Sequence, residues 1–503
     1  MSDINLKMLV TCLVSVLMTA CGNETSTPTT DNEPAGASSD PASNLVGDVV
    51  QTQWGDVRGD TVTEVGRTAR IFRGVPYAAP PVGKLRWQPP QPATPWEGVR
   101  DATEWPNRCP QGENVMGRGS PISEDCLYLN VVTAAETTSD QRPVMVFFHG
   151  GGLRIGHGNS ITYTHPMLPS KGIVLVTVNS RLGPIGYLAH PALSAESEHG
   201  VSGNYGTLDL SASLEWVQAN IKAFGGDPNN VTIFGESGGG TKTISQMATP
   251  LAKGLFHRAI VESGSGLVSP ERVTMLKDAE AVGGELVAAL GIADDDDVLA
   301  AMRAKSWEEL IAAASNSEVG FSANVVVDGY IIVDSVNTLF KEGRQADVPL
   351  IVGANAGERS LQTSVPMMAN LHSGSVSSPT YVYNFSHLPK GWREEPGCVA
   401  FHGLELTYIF GAVPLGLTSP TTLFLARGGG CSQSVPETDE LDMSAADYAS
   451  TLWAQFAGTG DPSVEGLIEW PTYTEENNRY LDIGGTPVAK TGIQDAYVAP
   501  PGG

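Results

Sequence analysis

The chain has 503 residues, 41% of them hydrophobic, and its 30 basic and 55 acidic residues give a formal net charge of -25. Binding to phosphates needs a basic surface, so this composition argues against nucleic acid as a partner, and we interpret the charge as an aid to solubility. The apolar content is sufficient for a large core, and large α/β enzymes of this length often form one domain.

The N-terminus has the pattern of an export signal. Lys7 is followed by the uncharged residues 8–20 and then by Cys21. This stretch is too short for a mature membrane-spanning helix but fits the apolar region of a signal peptide. The sequence L-M-T-A-C at residues 17–21 resembles the cleavage box of bacterial lipoproteins. The resemblance implies that residues 1–20 are removed and that Cys21 is lipidated; a plain secretory signal is the alternative.

Residues 21–45 are dominated by small and polar residue types. Such a segment cannot bury a core, so we predict a flexible linker there and a folded domain over residues 46–503. The protein is expected to be exported, with a lipid anchor as its one membrane contact. That anchor would hold it in the bacterial periplasm or at the outer membrane; without the anchor it would be secreted.

Four of the six cysteines lie beyond the predicted signal and lipidation site: Cys109, Cys126, Cys398 and Cys431. An even number in an exported protein predicts two disulfides. Three pairings are possible, and proximity in sequence favours Cys109–Cys126 with Cys398–Cys431. The sequence has no C-x-x-C, H-E-x-x-H or phosphate-loop motif, so we expect no metal and no cofactor.

Short apolar runs alternate with segments of helical character along the chain. The runs at residues 144–148, 173–178, 231–234, 259–261 and 350–352 have the pattern of strands buried on both faces. Between the second and third runs, apolar residues recur at helical spacing over residues 210–221, and residues 278–315 also have helical character. The acidic run at residues 294–297 is interpreted as a solvated helix start. Strand, helix, strand in this order predicts a mostly parallel sheet with right-handed crossovers.

The sequence G-E-S-G-G at residues 235–239 directly follows the apolar run at residues 231–234. A serine with a glycine two positions away on each side suits a sharp strand-to-helix turn, in which larger side chains would clash. This is the nucleophile elbow of α/β-hydrolases, so Ser237 is the candidate nucleophile.

The sequence H-G-G-G at residues 149–152 directly follows the first of the predicted buried strands. Glycines here let backbone N–H groups turn toward one point, as in the oxyanion-hole motif of lipases and esterases. The expected donors are the N–H groups of Gly151, Gly152 and Gly238. Either motif alone could be an ordinary tight turn, but both together, each after a strand, predict catalysis.

An activated serine also needs a base and an acid. In this fold they follow the nucleophile in the order acid, then histidine. His372, His387 and His402 all lie late in the chain, and spacing alone does not choose among them.

The chain resembles the type-B carboxylesterases, the family of cholinesterases and bacterial para-nitrobenzyl esterases. The similarity runs from about residue 49 to 475 and rests on long motifs at residues 72–78, 80–83, 85–87, 123–131, 181–184, 203–206 and 224–232. It implies an α/β-hydrolase fold over residues 46–503, with a large, mostly parallel central sheet flanked by helices. In the family the cysteine at the position of Cys126 is bridged to an upstream one, which supports Cys109–Cys126.

Carried over by position, the resemblance makes Ser237 the nucleophile, His402 the base and Glu358 the acid. His402 would take the serine proton during attack on an ester carbonyl and return it to the leaving alcohol, while Glu358 orients the imidazole. Ser263 matches a serine that supports the acid; alternatively, it is simply a polar residue at a strand end.

The sequence departs from the family at several positions. Gly238 replaces the usual alanine, and Glu358 lies in G-E-R where the family has D-E-G. Lys242 occupies the place of a small residue, and a buried lysine needs a partner. We expect Lys242 to reach solvent or a carboxylate; the alternative is that it faces the pocket and attracts an anionic acyl group. Arg154 invites the same two interpretations.

The acid and the histidine are separated by only 44 positions, which is a shortened segment for this family. We therefore predict a more open active site that tolerates bulky esters, and a Cys398–Cys431 bridge that anchors the loop carrying His402.

The predicted function is hydrolysis of small-molecule carboxylic esters through an acyl-enzyme. The alternatives are an amidase, a specialised esterase for a bulky or anionic ester (a polyester or a toxin), and a non-catalytic cholinesterase-like binding protein. The complete triad argues against the last.

Overall fold

The computed structural model describes residues 46–114, 120–293 and 297–499. The predicted signal peptide, the lipidation site Cys21 and the linker lie outside the described residues, as do residues 294–296 of the acidic run. None of the helices in the described ranges is long and apolar enough to cross a membrane.

Sixteen strands and fourteen α-helices form within these ranges. The strands are β1 (Val49–Thr52), β2 (Gly55–Arg58), β3 (Asp60–Glu64), β4 (Arg67–Pro76), β5 (Val99–Asp101), β6 (Tyr128–Thr133), β7 (Arg142–Phe148), β8 (Val174–Val178), β9 (Gly226–Glu236), β10 (Arg258–Glu262), β11 (Thr274–Met275), β12 (Val326–Val327), β13 (Leu350–Asn355), β14 (Thr380–Phe385), β15 (Arg479–Ile483) and β16 (Pro487–Thr491). The helices are α1 (Met167–Ser170), α2 (Gly183–Tyr187), α3 (Pro191–Glu196), α4 (Tyr205–Asn220), α5 (Gly238–Ala248), α6 (Leu276–Ala289), α7 (Val298–Ala304), α8 (Trp307–Ala314), α9 (Val336–Lys341), α10 (Ser364–Ser375), α11 (Lys390–Arg393), α12 (Glu405–Ile409), α13 (Pro420–Ala426) and α14 (Glu440–Thr459).

Eleven of the described strands form one sheet in the order β16-β15-β14-β13-β10-β9-β7-β8-β6-β4-β3. The run from β15 to β8 is parallel, and antiparallel strands extend it at both edges. Parallel strands occur where both faces of a sheet are covered, which explains their continuous apolar sequences. The predicted fold class is therefore confirmed, and all five predicted strands are present within β7, β8, β9, β10 and β13.

Successive residues of a strand point to opposite faces, and β7 shows the consequence. Val144, Val146 and Phe148 belong to a core that also contains apolar residues of α4 and α5. Met145 and Phe147 belong to a second core, which contains the buried side chains of α14. The sheet thus has an apolar layer on each side, and its central strands are shielded from water.

The two predicted helical regions are present. The apolar spacing over residues 210–221 lies within α4 and the 3₁₀ turn that follows it, and residues 278–315 contain most of α6, then α7 and α8. Asp297 caps α7 by accepting a hydrogen bond from the N–H of Ala300 at 3.1 Å. This described member of the acidic run therefore has the role at a helix start that the sequence predicted.

Both predicted disulfides are present, Cys109–Cys126 and Cys398–Cys431. The first precedes β6, and the second joins the segment before the predicted catalytic histidine to the end of the turn after α13.

The loops that matter for function follow the carboxyl ends of adjacent parallel strands. In the sheet register Glu236 at the end of β9 pairs with Glu262 at the end of β10, which in turn pairs with Gly353 of β13. In open α/β sheets ligands bind outside these carboxyl ends, so residues distant in sequence meet at this edge.

Candidate active site

Ser237 lies between β9 and α5 in a strained backbone conformation, with φ 60° and ψ -120°. A non-glycine residue in this region is uncommon and is held there by its surroundings. A Cβ added to Gly235 or Gly239 would collide with the carbonyl oxygen of Phe148 on β7. The two glycines of the motif are thus required by the close passage of the elbow over the neighbouring strand.

The glycine loop after β7 lies directly against this elbow. Gly151 and Gly152 have φ of 98° and 60°, a region that favours glycine. A Cβ on Gly238 would collide with the amide nitrogen of Gly152, so the departure from alanine at position 238 allows this close approach. Within the described residues, the N–H groups of Gly151, Gly152 and Gly238 donate no hydrogen bond, which leaves them available to a ligand.

The loops after β13 and β14 bring the predicted acid and histidine together. Nδ1 of His402 lies 2.5 Å from Oε1 of Glu358. The other oxygen of Glu358 accepts hydrogen bonds from the Ser263 hydroxyl at 2.5 Å and from the N–H of Asn355 at 2.8 Å. The carboxylate of Glu358 is therefore fixed from three sides, and one of these contacts comes from Ser263.

The other two candidate histidines lie elsewhere. His387 is buried, with Nε2 2.7 Å from Oδ1 of Asp442. His372 is also buried, and its Nε2 lies 3.0 Å from the carbonyl oxygen of Val348. Of the three, His402 is the one that contacts Glu358.

The second nitrogen of His402 has an unexpected neighbour. Its Nε2 lies 3.1 Å from Oε1 of Glu236, the residue that precedes Ser237. In the described part of the chain no hydrogen bond joins His402 to Ser237. Glu236 was not predicted from the sequence, although an acidic residue just after an apolar run and beside Ser237 was a usable signal.

Glu236 belongs to a cluster of buried carboxyl groups that also contains Glu262, Glu358 and Glu405. Oε1 of Glu262 accepts the indole N–H of Trp453 at 2.6 Å. Oε1 of Glu405 lies 3.3 Å from the hydroxyl oxygen of Ser263, and its other oxygen accepts a hydrogen bond from the side-chain amide of Asn355. These contacts join the ends of β10 and β13 to α12, and the end of β10 to α14.

The cluster shifts the titration of its members. Burial raises the pKa of Glu236 to about 7, with His402 opposing and Glu358 adding to the shift. Burial, and then repulsion from Glu236, raises the pKa of Glu262 to about 8 against the hydrogen bond from Trp453. Burial followed by repulsion from its carboxylate neighbours raises the pKa of Glu405 well above its ordinary value. Desolvation and like charge are the general causes of such shifts.

His402 is the titratable base that contacts this cluster. Removal of the ring from water lowers the pKa of His402, whereas Glu236, Glu358 and Glu405 raise it more strongly. The resulting pKa is above the ordinary 6.5. Its side chain is nevertheless 39% exposed, so the ring can be approached from solvent.

Three cavities border these residues. One of about 330 Å³ is lined by Trp105 and Glu236, and one of about 410 Å³ by His402. A third of about 440 Å³ is lined by Gly152 and Val325. The histidine, the carboxylate beside the serine and the glycine loop thus each border space for a ligand.

The expectation for Lys242 is wrong. The side chain is buried, and Nζ lies 3.1 Å from the carbonyl oxygen and 3.2 Å from Nε2 of His149. Its partners are therefore a carbonyl and an imidazole rather than solvent or a carboxylate. Burial lowers the pKa of Lys242 to about 7. Arg154, for which the same alternatives were considered, is exposed.

The sheet, the elbow after β9 and the glycine loop after β7 define an α/β-hydrolase. A solved structure of a PNB esterase superposes with a TM-score of 0.73 at 30% sequence identity, over 88% of this chain and 97% of that one. A thermophilic PNB esterase gives a TM-score of 0.75 at 29% identity.

The sequence profile of the carboxylesterase family matches residues 47–367 and 359–499. The para-nitrobenzyl esterase of Bacillus subtilis (strain 168) is 33% identical over 493 residues, covering 86% of this chain and 94% of that protein. The fumonisin B1 esterase of Sphingopyxis macrogoltabida is 33% identical over 498 residues, covering 87% of this chain and 86% of that protein. The chain belongs to the carboxylesterase family. It is a carboxylic ester hydrolase.

Proposed function

We propose that Ser237, His402 and Glu358 hydrolyse small-molecule carboxylic esters through an acyl-enzyme. The observation that supports this most strongly is the 2.5 Å contact between Nδ1 of His402 and Oε1 of Glu358, on loops that follow neighbouring strands. The strained elbow at Ser237 adds to it, because such strain is characteristic of a nucleophile turn.

In the proposed mechanism the Ser237 oxygen attacks the ester carbonyl while Nε2 of His402 takes its proton. The tetrahedral oxyanion accepts hydrogen bonds from the N–H groups of Gly151, Gly152 and Gly238. His402 then gives the proton to the leaving alcohol, and the acyl group stays on Ser237. Water, deprotonated by the same imidazole, attacks this second ester and releases the acid.

The histidine must turn to take part. Its Nε2 faces Glu236, so proton transfer requires the ring to exchange this carboxylate for the serine hydroxyl. Catalytic hydrogen bonds often tighten only in the complex with substrate. We assign Glu236 as the resting partner of His402, and Ser263 as a residue that positions Glu358.

The substrate class is proposed to include bulky esters. The cavities beside Glu236, His402 and Gly152 have volumes of about 330, 410 and 440 Å³, and one relative is named as an esterase of fumonisin B1. Lys242 is not available for an anionic acyl group because it is buried against His149. A panel of esters varied separately in acid and alcohol, with neutral and anionic acids, tests this choice.

The direct test of the triad is hydrolysis of p-nitrophenyl butyrate by the native protein and by Ser237→Ala. Loss of the nucleophile is expected to reduce kcat by about 10⁶-fold. Ser245→Ala is the matched control, because Ser245 is a buried serine of α5 whose hydroxyl, among the described residues, bonds only the carbonyl oxygen of Lys242. Equal rates for native protein and Ser237→Ala would contradict the assignment, and no hydrolysis by the native protein would favour a binding role.

We further propose that the protein is exported, with residues 1–20 as a signal peptide, a lipid on Cys21 and the linker 21–45 before the catalytic domain 46–503. The two disulfides support an oxidising compartment. Expression in a bacterium fed an alkyne fatty acid should label the native protein and leave Cys21→Ser unlabelled. Equal labelling of both proteins, or of neither, would contradict lipidation at this cysteine.

A further inference from the structure

Lys242 is the fifth residue of α5, and its side chain is only 1% exposed. A lysine is rarely buried so completely, because removal of an ammonium group from water is costly unless it is paired. The resemblance to type-B carboxylesterases leads one to expect a small residue at this position. The proposed mechanism does not use Lys242, so its presence needs another explanation.

The partners of Lys242 fix the state of His149. Nζ donates to the carbonyl oxygen of His149 at 3.1 Å and lies 3.2 Å from its Nε2. Nδ1 of the same ring lies 2.8 Å from the carbonyl oxygen of Gly150. A carbonyl oxygen can only accept, so Nδ1 carries the proton and Nε2 accepts from Lys242.

The contact with the Gly150 carbonyl bears on the proposed oxyanion hole. The carbonyl of Gly150 and the N–H of Gly151 belong to one planar peptide unit and point in opposite directions. A hydrogen bond that holds the Gly150 oxygen therefore also fixes the direction of the Gly151 N–H. Such a restraint matters here because Gly151, at φ 98°, has the conformational freedom of glycine.

The charge of Lys242 and its number of N–H donors agree with these hydrogen bonds to His149. A neutral amine has two N–H donors, and the structure provides two acceptors, both on His149. Burial lowers the pKa of Lys242 to about 7. Burial, followed by the nearby Lys242, lowers the pKa of His149 well below its ordinary value, so the ring remains neutral and keeps its accepting nitrogen.

We propose that Lys242 is a positioning residue: acting through His149 and the Gly150 carbonyl, it holds the N–H of Gly151 toward the oxyanion of the reacting ester. This inference rests on the oxyanion hole of the proposed function. In the part of the chain that the structure describes, no hydrogen bond joins Lys242 to Ser237, so we place its effect on the transition state in the His149 side chain and the Gly150–Gly151 peptide.

Lys242→Met tests the proposal, because methionine is similar in length and has no donor. Loss of one oxyanion donor typically reduces kcat by about 10²–10³-fold. We expect a reduction of this order with KM changed by less than about threefold, since the hydrogen bond strengthens in the transition state. The affinity for a trifluoromethyl ketone, whose adduct carries an oxyanion, should fall by the same factor as kcat/KM. Lys242→Gln, which keeps an NH₂ donor, should recover part of the loss.

A purely structural lysine would give a different result. Thermal stability would then fall while kcat and ketone affinity changed no more than in Ser245→Ala, and the proposal would be overturned.

His149→Leu supplies an independent measurement if Lys242→Met folds poorly. Since the residues act in series, Lys242→Gln combined with His149→Leu should cost no more than His149→Leu alone; additive losses would overturn the proposal. If Ser237→Ala loses activity while Lys242→Met keeps a native-like kcat, only the inference about Lys242 is refuted. The proposed triad would then still stand.

Discussion

The residue that accepts the proton in the proposed reaction, His402, has an unusual set of neighbours. His402 contacts Glu358 through Nδ1 and Glu236 through Nε2. Because both carboxylates favour the charged imidazole, they oppose its use as a base. Glu358, which keeps its contact with Nδ1, stabilises the imidazolium that forms when Ser237 attacks. The carboxylate that lowers activity at low pH therefore also stabilises the transition state.

Glu236→Gln should shift the pH dependence of kcat/KM. A base must be neutral, and the pKa of His402 is raised, so activity is lost as the pH falls through that raised value. Removal of the carboxylate at 3.1 Å lowers the pKa toward 6.5, and the acid limb should move down by about 1 pH unit or more. Glu262→Gln, the same change on the adjacent strand, is the control. Identical acid limbs for native protein and Glu236→Gln would contradict the electrostatic role of Glu236.

Lys242 predicts a stability effect that is independent of its role in catalysis. Its pKa is about 7 in the folded state against an ordinary 10.5, so between these values the unfolded chain binds more protons. The free energy of unfolding should therefore rise with pH across this window, by up to about 1.4 kcal/mol per unit, relative to Lys242→Met. Urea unfolding of both proteins at a series of pH values measures the difference. Lys253→Met replaces an exposed lysine, so its difference from native protein in the free energy of unfolding should not change with pH. A difference that does not change with pH for Lys242→Met would contradict the buried neutral amine.

At the level of elements, the loop that carries His402 is held by backbone hydrogen bonds to two other segments. The N–H of Gly357 donates to the carbonyl oxygen of Ala400 at 2.8 Å, and the N–H of Val399 donates to that of Gly429 at 3.0 Å. The Cys398–Cys431 bridge joins the segments of Val399 and Gly429 covalently. It therefore restrains the segment from which His402 extends toward Glu358.

Removal of this bridge by Cys398→Ser with Cys431→Ser should reduce kcat by about tenfold or more, because small displacements of reacting groups are costly. Removal of either bridge should lower the free energy of unfolding by about 2–4 kcal/mol. For the other bridge, removed by Cys109→Ser with Cys126→Ser, we expect a smaller change in kcat. Measurement of kcat and of the melting temperature for both double variants compares the effects of the two bridges. An unchanged kcat after loss of the Cys398–Cys431 bridge would show that the loop does not need it.

The parts of the site that the sequence predicted are those with local signals. The elbow and the glycine loop are specified by glycines that pass close to a neighbouring strand, and buried parallel strands are continuous apolar runs. The positions of His402 and Glu358 came from the family resemblance, since three histidines fitted the chain order. The contact of Glu236 with His402 and that of Lys242 with His149 join residues 166 and 93 positions apart. No local pattern encodes such contacts, because they depend on how loops from different strands meet.

At the scale of the whole molecule, the carboxyl edge of one parallel sheet collects the loops that follow β7, β9, β10, β13 and β14. Each loop supplies one part of the proposed chemistry: the oxyanion donors, the nucleophile, Ser263, the acid and the base. Because adjacent strands fix the spacing of these parts, the site is built on rigid elements even though its residues lie on turns.

The most direct test of the central claim is to find the acyl group on the protein. Native protein mixed with p-nitrophenyl butyrate, quenched in acid within the first turnovers and digested, should yield the peptide containing Ser237 with the added mass of one butyryl group. His402→Ala should form this adduct far more slowly. Hydrolysis that proceeds with Ser237 unmodified throughout, or a butyryl group found on another residue, would contradict the account.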